Sequence, residues 1–472
     1  MAAAVALAGC VHRQVETIDG DYAFVGVAVV PMDSERVLAN QTVVVRGDRI
    51  VRVAPADTIA LAQGVRAIDG AGRFLAPGLA DMHIHLIGGD HDLPLYVASG
   101  VTLVRNMWGS PATLALRARV RGGDPLGPEI VTAGPLLDGD PPIRRGATII
   151  RTPDEAARQV ADQAAAGYDF IKVYGNLRPE TFDAIAAAAR RHAIPFSGHV
   201  PRTVTAAHAM RAGMASMEHL YGFKEATARP GVAVAPATFA PETIAIGRRL
   251  GEGGTNVDAL FDPARMRALG ALAARTGTFV TPTLVVLRQS RLPEAEIERQ
   301  LRRPEMDYVT PGTRAYWTAP ERRPRSVGSE DAAALGNLFQ IELRQVAILN
   351  RAGARLLAGS DAPNPFVFPG VSLHEELALL VRAGLTPYEA IETATGNPAR
   401  FLGRSDIGTI AVGHRADLIL LAGNPLEDVA RLRQPLGVML RGRWLPEAAL
   451  RQMLDGVAEP GAAMQAAPAA RR

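Results

Sequence analysis

Two rhythms of apolar and polar positions alternate along this chain. From Tyr22 to Phe74 the apolar runs are short and β-like, as in "FVGVAVVPM", "QTVVVRGDRIVRVAP" and "VRAIDGAGRFL", and turn residues separate them. Val43, Val45, Ile50, Val51 and Val53 flank Gly47-Asp48, a pattern that predicts a hairpin. The same texture returns near the C-terminus in "IGTIAVGHRADLILLAG" and "PLGVMLRGRWL". The two pieces, residues 21–75 and 403–450, therefore suggest one small sheet domain assembled from both ends of the chain.

Between them, residues 76–402 repeat short apolar runs and Ala-rich segments of helical period. The strand candidates are "GLADMHIHL", "VTLVRNM", "EIVTAG", "DFIKVYG", "IPFSGHV", "SMEHL", "TFVTPTL" and "RLLAGSDA". Helices fall between them, for example "TPDEAARQVADQAAAG", where Thr152 can cap and Pro153 takes the first helical position. This α/β pattern fits a (β/α)8 TIM-like barrel, with a doubly wound open sheet as the structural alternative. Residues 225–336 exceed what two barrel connections need and are rich in Pro and charge, so they are expected to be insertions over the barrel mouth. Residues 451–472 are expected to form a disordered tail.

Composition narrows the class. The 472 residues are 48% hydrophobic and 21% charged, a globular balance with a net charge of only +3. Basic residues are scattered, and groups such as Arg322 to Arg325 lack interleaved aromatics, which argues against a nucleic-acid surface. A single cysteine excludes an intramolecular disulfide framework. It ends an apolar N-terminal stretch, and Leu7-Ala8-Gly9-Cys10 resembles a bacterial lipobox. On that reading residues 1–20 are signal segment and linker, Cys10 is acylated and the protein is lipid-anchored in the periplasm. The alternative is a frayed N-terminus with a stray thiol on a cytoplasmic protein.

The candidate chemistry lies on the barrel strands. His83 and His85 are two apart, so on an extended strand both project from one face. Lys172 lies in the fourth candidate strand, His199 ends the fifth, His219 the sixth and Asp361 the eighth. All six sit near C-terminal strand ends, where barrel enzymes carry their active sites. A lone histidine at such a place is more often a satisfied rim residue, and His12, His91, His192, His208 and His414 are read that way; His374 is read as helix packing. Five strands placing ligand-type residues at equivalent depth is much harder to ascribe to chance. Lys172 adds a separate signal: of 51 lysines and arginines only Lys172 and Lys224 are lysine.

The order His-x-His, Lys, His, His, Asp resembles the amidohydrolase superfamily of metal-dependent hydrolases. "APGLADMHIHL", "FIKVYGN", "FSGHV", "SMEHL", "LLAGSDAP", "LHEELALLVRAGLTPYEAIETATGNPARFLG" and "IGTIAVGHRADLILLAGNPLEDV" carry the likeness, which extends over almost the whole chain after about residue 25. It is nearest to the imidazolonepropionase-like and Xaa-Pro-dipeptidase-like branch. The resemblance implies a β-sandwich built from both chain ends and a carboxylated Lys172 whose carbamate bridges two divalent metal ions. It implies His83, His85 and Asp361 at the first metal and His199 and His219 at the second. Zinc suits these ligands, with manganese, cobalt or iron as alternatives. The implied reaction is attack of a metal-bridged hydroxide on an amide carbonyl, Asp361 passing the proton to the leaving nitrogen.

The expected substrate is a dipeptide, an N-acyl amino acid or a cyclic amide, taken by a homo-oligomer. Tyr174 and Tyr221 are candidate substrate contacts, and Leu220-Tyr221 is expected to line the pocket. Asn106 stands where many relatives carry Asp. A phosphotriester or lactone hydrolase on the same metals is the nearest enzymatic rival, and a metal-loaded surface lipoprotein without turnover is the alternative from another class. A mononuclear deaminase fits less well: it lacks the strand-four lysine and uses a glutamate after strand five, where this chain has Pro201-Arg202.

Overall fold

The structure, a computed structural model, describes residues 16–234, 241–252, 256–319 and 329–466; Cys10 and His12, with the acylation expected at Cys10, lie outside them. Its centre is a set of short parallel strands. Leu79–Ile84, Val101–Asn106 and Glu129–Thr132 form one sheet, and Ile171–Val173, Phe196–Gly198, Ser216–Glu218 and Phe279–Thr281 run side by side in another. Every residue of Leu79–Ile84 and Val101–Asn106 is buried, as expected of parallel strands covered on both faces. These strands coincide with the first seven runs identified from the sequence.

The two sheets meet on both sides. On one, Asp169 N donates to Thr132 O at 2.9 Å and Gly134 N to Phe170 O at 3.2 Å. On the other, the segment around Leu356–Ala362 bonds to both neighbours: Leu357 N donates to Val280 O, Met82 N to Ala358 O and Asp361 N to His83 O, at 2.7–2.9 Å. This eighth run makes only isolated bridges, at Leu356 and Ala362, rather than a regular ladder. The reason is local crowding. A Cβ on Gly359 would lie 2.7 Å from both His83 Cβ and Thr281 Cγ2, so the segment threads a gap with no room for a side chain, then turns sharply at Asp361, whose φ is 63°.

Helices pack outside the strands and begin where the sequence provides caps. Pro153–Ala165 starts with the expected Thr152 cap, which accepts from Glu155 N at 3.2 Å while Glu155 reaches back to Thr152 N. Pro179–Arg191 buries Phe182, Ile185, Ala186 and Ala189, one stripe of its surface.

Both chain ends build a further, mixed sheet of eight strands. Its spatial order is Arg443–Pro446, Gly437–Leu440, Leu418–Leu421, Phe74–Pro77, Tyr22–Val29, Leu38–Arg46 and Arg49–Pro55, with Arg66–Asp69 added on Tyr22–Val29. The expected hairpin is present, with Val45 opposite Ile50 and Gly47 at φ 57° in the turn. Phe24, Val43, Val45, Ile50, Leu418 and Met439 form its own apolar core. Glu129 of the third parallel strand takes Arg404 at 2.9 Å and also Arg415, joining the layers through charge.

Residues 225–336, read from the sequence as insertions, contain the helices Pro241–Gly251, Pro263–Thr276, Glu294–Leu301 and Pro311–Thr318, and Ser329–Arg351 begins within them. Ile246, Leu250, Leu260, Leu335 and Leu338 form a cluster there, so apolar residues at helical spacing win over the charge-rich composition. The C-terminal segment is likewise a helix over Glu447–Ala466 rather than a disordered tail from residue 451. Its Leu450, with Met453 and Leu454 beside it, packs on Val97, Ala98 and Leu440, an apolar stripe that composition alone conceals. Among the described residues no helix is long and apolar enough to cross a membrane.

His374 packs as expected, in the helix Val371–Arg382, its Nε2 donating to Ser99 O at 2.9 Å. Burial, chiefly, lowers its pKa from 6.5 to about 4. The folded imidazole therefore stays neutral where the unfolded one takes a proton, so its stabilising contribution is intact above pH 6.5 and is lost as pH falls toward 4. A His374→Gln variant, which keeps a donor without titrating, should lose less stability between pH 7 and 4.5 than the parent. Urea unfolding of both in the presence of chelator measures this; equal losses would refute it.

Candidate metal centre

The strand ends converge on one point. His83 lies within the first parallel strand and His85 one residue past its end, their ring centroids 5.5 Å apart. Asp361 faces both: its Oδ1 is 3.4 Å from His83 Nε2 and 3.0 Å from His85 Nε2. One ligand atom from each of the three falls within 4.8 Å of the others. His219, after the sixth strand, brings its ring to 4.6 Å from His83 and 4.8 Å from His199, and its Nδ1 to 3.8 Å from Asp361 Oδ2. Lys172 is wholly buried in the fourth strand. It packs against Gly198, whose φ of 139° and missing Cβ let Val173 O and Lys172 Cδ approach to 2.2 and 3.0 Å of where that Cβ would be.

The backbone is strained where it delivers these groups. His219, Leu220, Thr283 and Asp361 have φ between 49° and 63°, a region costly for residues with side chains, about 1–3 kcal/mol each. They follow the sixth, seventh and eighth strands. At His219 and Asp361 the strained backbone turns the side chain from the strand direction toward the common centre.

Charge states follow from burial. It lowers Lys172 to about 8, against the pull of Glu218 and Asp361. Burial, aided by the Lys172 charge, lowers His83 to about 4, and burial with His83 beside it lowers His219 to about 3; His199 falls well below its ordinary value for the same first reason. Burial thus favours the neutral form of these three imidazoles, the form that offers a lone pair. Burial pushes Asp361 upward, but His83, His85 and His219 outweigh it and hold the group well below the usual carboxylate range.

The hydrogen-bond pattern selects the tautomers. His83 Nδ1 donates to Glu218 Oε2 at 2.8 Å, leaving Nε2 as the lone-pair atom. His219 Nδ1 donates to Thr283 Oγ1 at 2.7 Å, because that hydroxyl already donates to Pro282 O. What remains is a group of buried polar atoms without hydrogen-bond partners: His83 Nε2, His85 Nδ1, Lys172 Nζ and Asp361 Oδ1. Buried groups of this kind ordinarily find partners, so their presence on residues that surround one centre points to a ligand. Neutral imidazoles, a carboxylate and an amine suit divalent cations, which His83, His85 and Asp361 could hold directly.

Several supporting residues escaped the sequence reading. Glu218 also takes Arg105 Nη2 at 2.9 Å, and Arg105 reaches Met82 O and Ser216 Oγ from inside the strand layer. Asp81 accepts from Ser360 Oγ at 2.6 Å and from His83 N, tying the first strand to the eighth segment; burial raises it to about 7. The available signal was a charged residue inside an apolar run, in "ADM", "VRN" and "MEH". Asn106 accepts from Leu86 N and donates to Trp108 O and Thr132 Oγ1. An ionised Asp could not make those donations.

Tyr174 stacks on His199 at 3.8 Å, and Tyr221 lies 4.7 Å from the same ring and is 39% exposed. Leu220 is a correction: it is wholly buried and joins the main core instead of lining a pocket, because its left-handed backbone turns successive side chains apart. The remaining histidines lie elsewhere, His91 on Tyr308 O, His208 on Asp183, His414 on Thr409 and His192 at a helix end.

Parallel strands with ligand-type residues at their ends, joined to a small sheet from both termini, define a class to which comparison gives a name. Residues 74–445 match the Amidohydrolase family, and the chain belongs to it. Bottromycin amidohydrolase superposes with a TM-score of 0.75 at 28% identity, over 93% of this chain and 90% of that one. A Xaa-Pro dipeptidase with bound methionine gives 0.63 at 18% identity, over 90% and 99%. Imidazolonepropionase of Deinococcus deserti is 44% identical over 80 residues, 17% of this chain and 20% of that relative's length.

Because Glu218 fixes the His83 tautomer, its replacement should disturb metal binding before it alters any ligand. Glu218→Gln is expected to weaken metal affinity by about 10–100-fold. It also leaves Arg105 buried without its counter-charge, a cost on the order of 3–5 kcal/mol. Competition with a chromophoric chelator and thermal unfolding measure the two effects; a folded variant with parental metal affinity would refute the positioning role.

Proposed function

We propose that this chain is a binuclear metal-dependent hydrolase that cleaves the amide C–N bond of a dipeptide, an N-acyl amino acid or a cyclic amide, and that its eight parallel segments close as a (β/α)8 barrel. Family membership supports amide hydrolysis. The observation that carries the binuclear reading is Lys172 Nζ, wholly buried without a hydrogen-bond partner in the company of neutral imidazoles.

His83, His85 and Asp361 would hold one ion, His199 and His219 a second, and Lys172 both once carboxylated. Bound there, divalent ions, zinc foremost, supply Lewis acidity and make water nucleophilic at neutral pH. Lys172 suits its part because a pKa brought down to about 8 leaves on the order of a tenth of the amine neutral near pH 7. The neutral nitrogen bonds to the carbon of CO2 and releases a proton, leaving an anionic carbamate, a reaction closed to a guanidinium.

Asp361 is charged at neutral pH and faces the centre, so it can take a proton from attacking water and pass it to the departing nitrogen. Tyr174 and Tyr221, one on either side of the His199 ring, would orient the substrate. The neighbouring Leu220 in the core fixes the turn that presents Tyr221 outward.

Lys172→Ala should lose bound metal and hydrolysis together, activity falling at least about a hundredfold, since loss of a supporting partner alone costs 10–100-fold. Metal analysis of zinc- and bicarbonate-treated protein, followed by a screen of dipeptides, N-acyl amino acids and cyclic amides, tests the reading. Full activity and metal content in that variant would overturn it.

A further inference from the structure

One exposed cation borders this site. Arg144 lies in the segment between Leu137–Asp138 and Thr148–Ile149, following the third parallel strand. Its Nε donates to Tyr174 Oη at 3.1 Å, and Tyr174 in turn stacks on His199. Among the described residues Arg144 forms no ion pair with a carboxylate, although the fold supplies such partners to other cations nearby. Arg291 and Lys224, for instance, share the buried Glu342 at 2.8 and 3.0 Å.

The segment that carries Arg144 is held in place. Asp138, buried, accepts from Ile143 N at 2.7 Å with one oxygen and from Asn176 N at 2.7 Å with the other. Asn176 returns a hydrogen bond to Pro141 O at 2.7 Å, and Ala147 N donates to Arg144 O. The guanidinium is therefore carried on a loop stitched to the strand end that bears Tyr174. Its charge reaches the centre: burial dominates the shifts of Lys172 and His199, to which Arg144 adds a small downward push, and Asp361 acts on Arg144 in return.

A guanidinium presents a planar fork of donors matched to a carboxylate. Using Nε on the tyrosine leaves the two Nη groups for a ligand. We infer that Arg144 receives a carboxylate of the substrate, so the site takes amides with a free acid group beside the scissile bond, N-acyl amino acids and dipeptides, in preference to neutral amides. This rests on the hydrolase reading above and narrows it. Tyr174 holds the guanidinium in register, and His199 fixes the Tyr174 ring, so recognition of the acid group is coupled to the centre through contacts already in place.

The test uses zinc-loaded full-length protein with N-acetyl-L-phenylalanine and its decarboxylated counterpart, N-acetyl-2-phenylethylamine. Turnover and calorimetric binding are measured for the parent, Arg144→Met, Arg144→Lys and Arg145→Met. The parent should favour the acid by on the order of 10–100-fold, the worth of one charge-assisted contact. Arg144→Met should abolish that preference, chiefly by raising KM for the acid, Arg144→Lys should restore part of it, and Arg145→Met should keep it. A preference unchanged in Arg144→Met, or absent from the parent, overturns the assignment. If metal-loaded parent hydrolyses no amide, the hydrolase reading fails, and calorimetry still decides Arg144: binding of the acid lost in Arg144→Met sustains its role, and binding that is unchanged or absent removes it.

Discussion

Polar atoms buried without partners are the constraint to which the rest of this structure answers. His83 Nε2, His85 Nδ1 and Lys172 Nζ are buried without a hydrogen-bond partner, and Asp361 Oδ1 faces only the two imidazoles. Each such group costs about 1–3 kcal/mol in a protein interior, so the fold must hold them against a tendency to find water or rotate away. It does so with side chains satisfied elsewhere. Glu218 and Thr283 hold the far nitrogens of His83 and His219, Ser360 and Asp81 lock the first strand to the eighth segment, and Arg105 neutralises Glu218 from inside the layer. The parallel strands, short and buried, are the scaffold on which that arrangement is rigid.

The same burial sets the chemistry. Low dielectric favours the neutral form of His83, His199 and His219 and brings Lys172 within reach of deprotonation, while Asp361 is held well below the usual carboxylate range. A lone-pair donor set and a ready carboxylate thus arise from one cause, without separate tuning of each group. Strained residues at His219, Thr283 and Asp361 mark where the chain gives up backbone comfort for side-chain direction. The mixed sheet, built from both termini, contributes through Arg404 and Arg415, which grip Glu129 on the third strand.

The strands and the cluster of polar residues at their ends were legible because both leave one-dimensional traces. Apolar runs with turn punctuation mark strands, and His83-x-His85, the rare Lys172, His199, His219 and Asp361 stand out against them. The helices within residues 225–336 and the C-terminal helix are not legible in the sequence because Pro, charge and Ala dominate their composition, and only packing shows which face is apolar. Leu220 was misassigned because sequence adjacency to His219 suggested a shared direction that a left-handed turn does not give. Arg144 was missed for a simpler reason: it is one of many arginines, with nothing in its neighbours to set it apart.

The sequence by itself determined the strand and helix alternation, the capping of helices such as Pro153–Ala165 and the identity of the six ligand-type residues. These depend on local propensity and residue chemistry, which are written position by position. Tertiary structure alone decided which nitrogen of His83 and of His219 is free, which carboxylate orients and which faces the centre, and which arginine is held beside it by Tyr174. Those outcomes depend on distances of a few ångströms between residues far apart in the chain, as between His83 and Glu218 or Arg144 and Tyr174, and no local pattern encodes such distances.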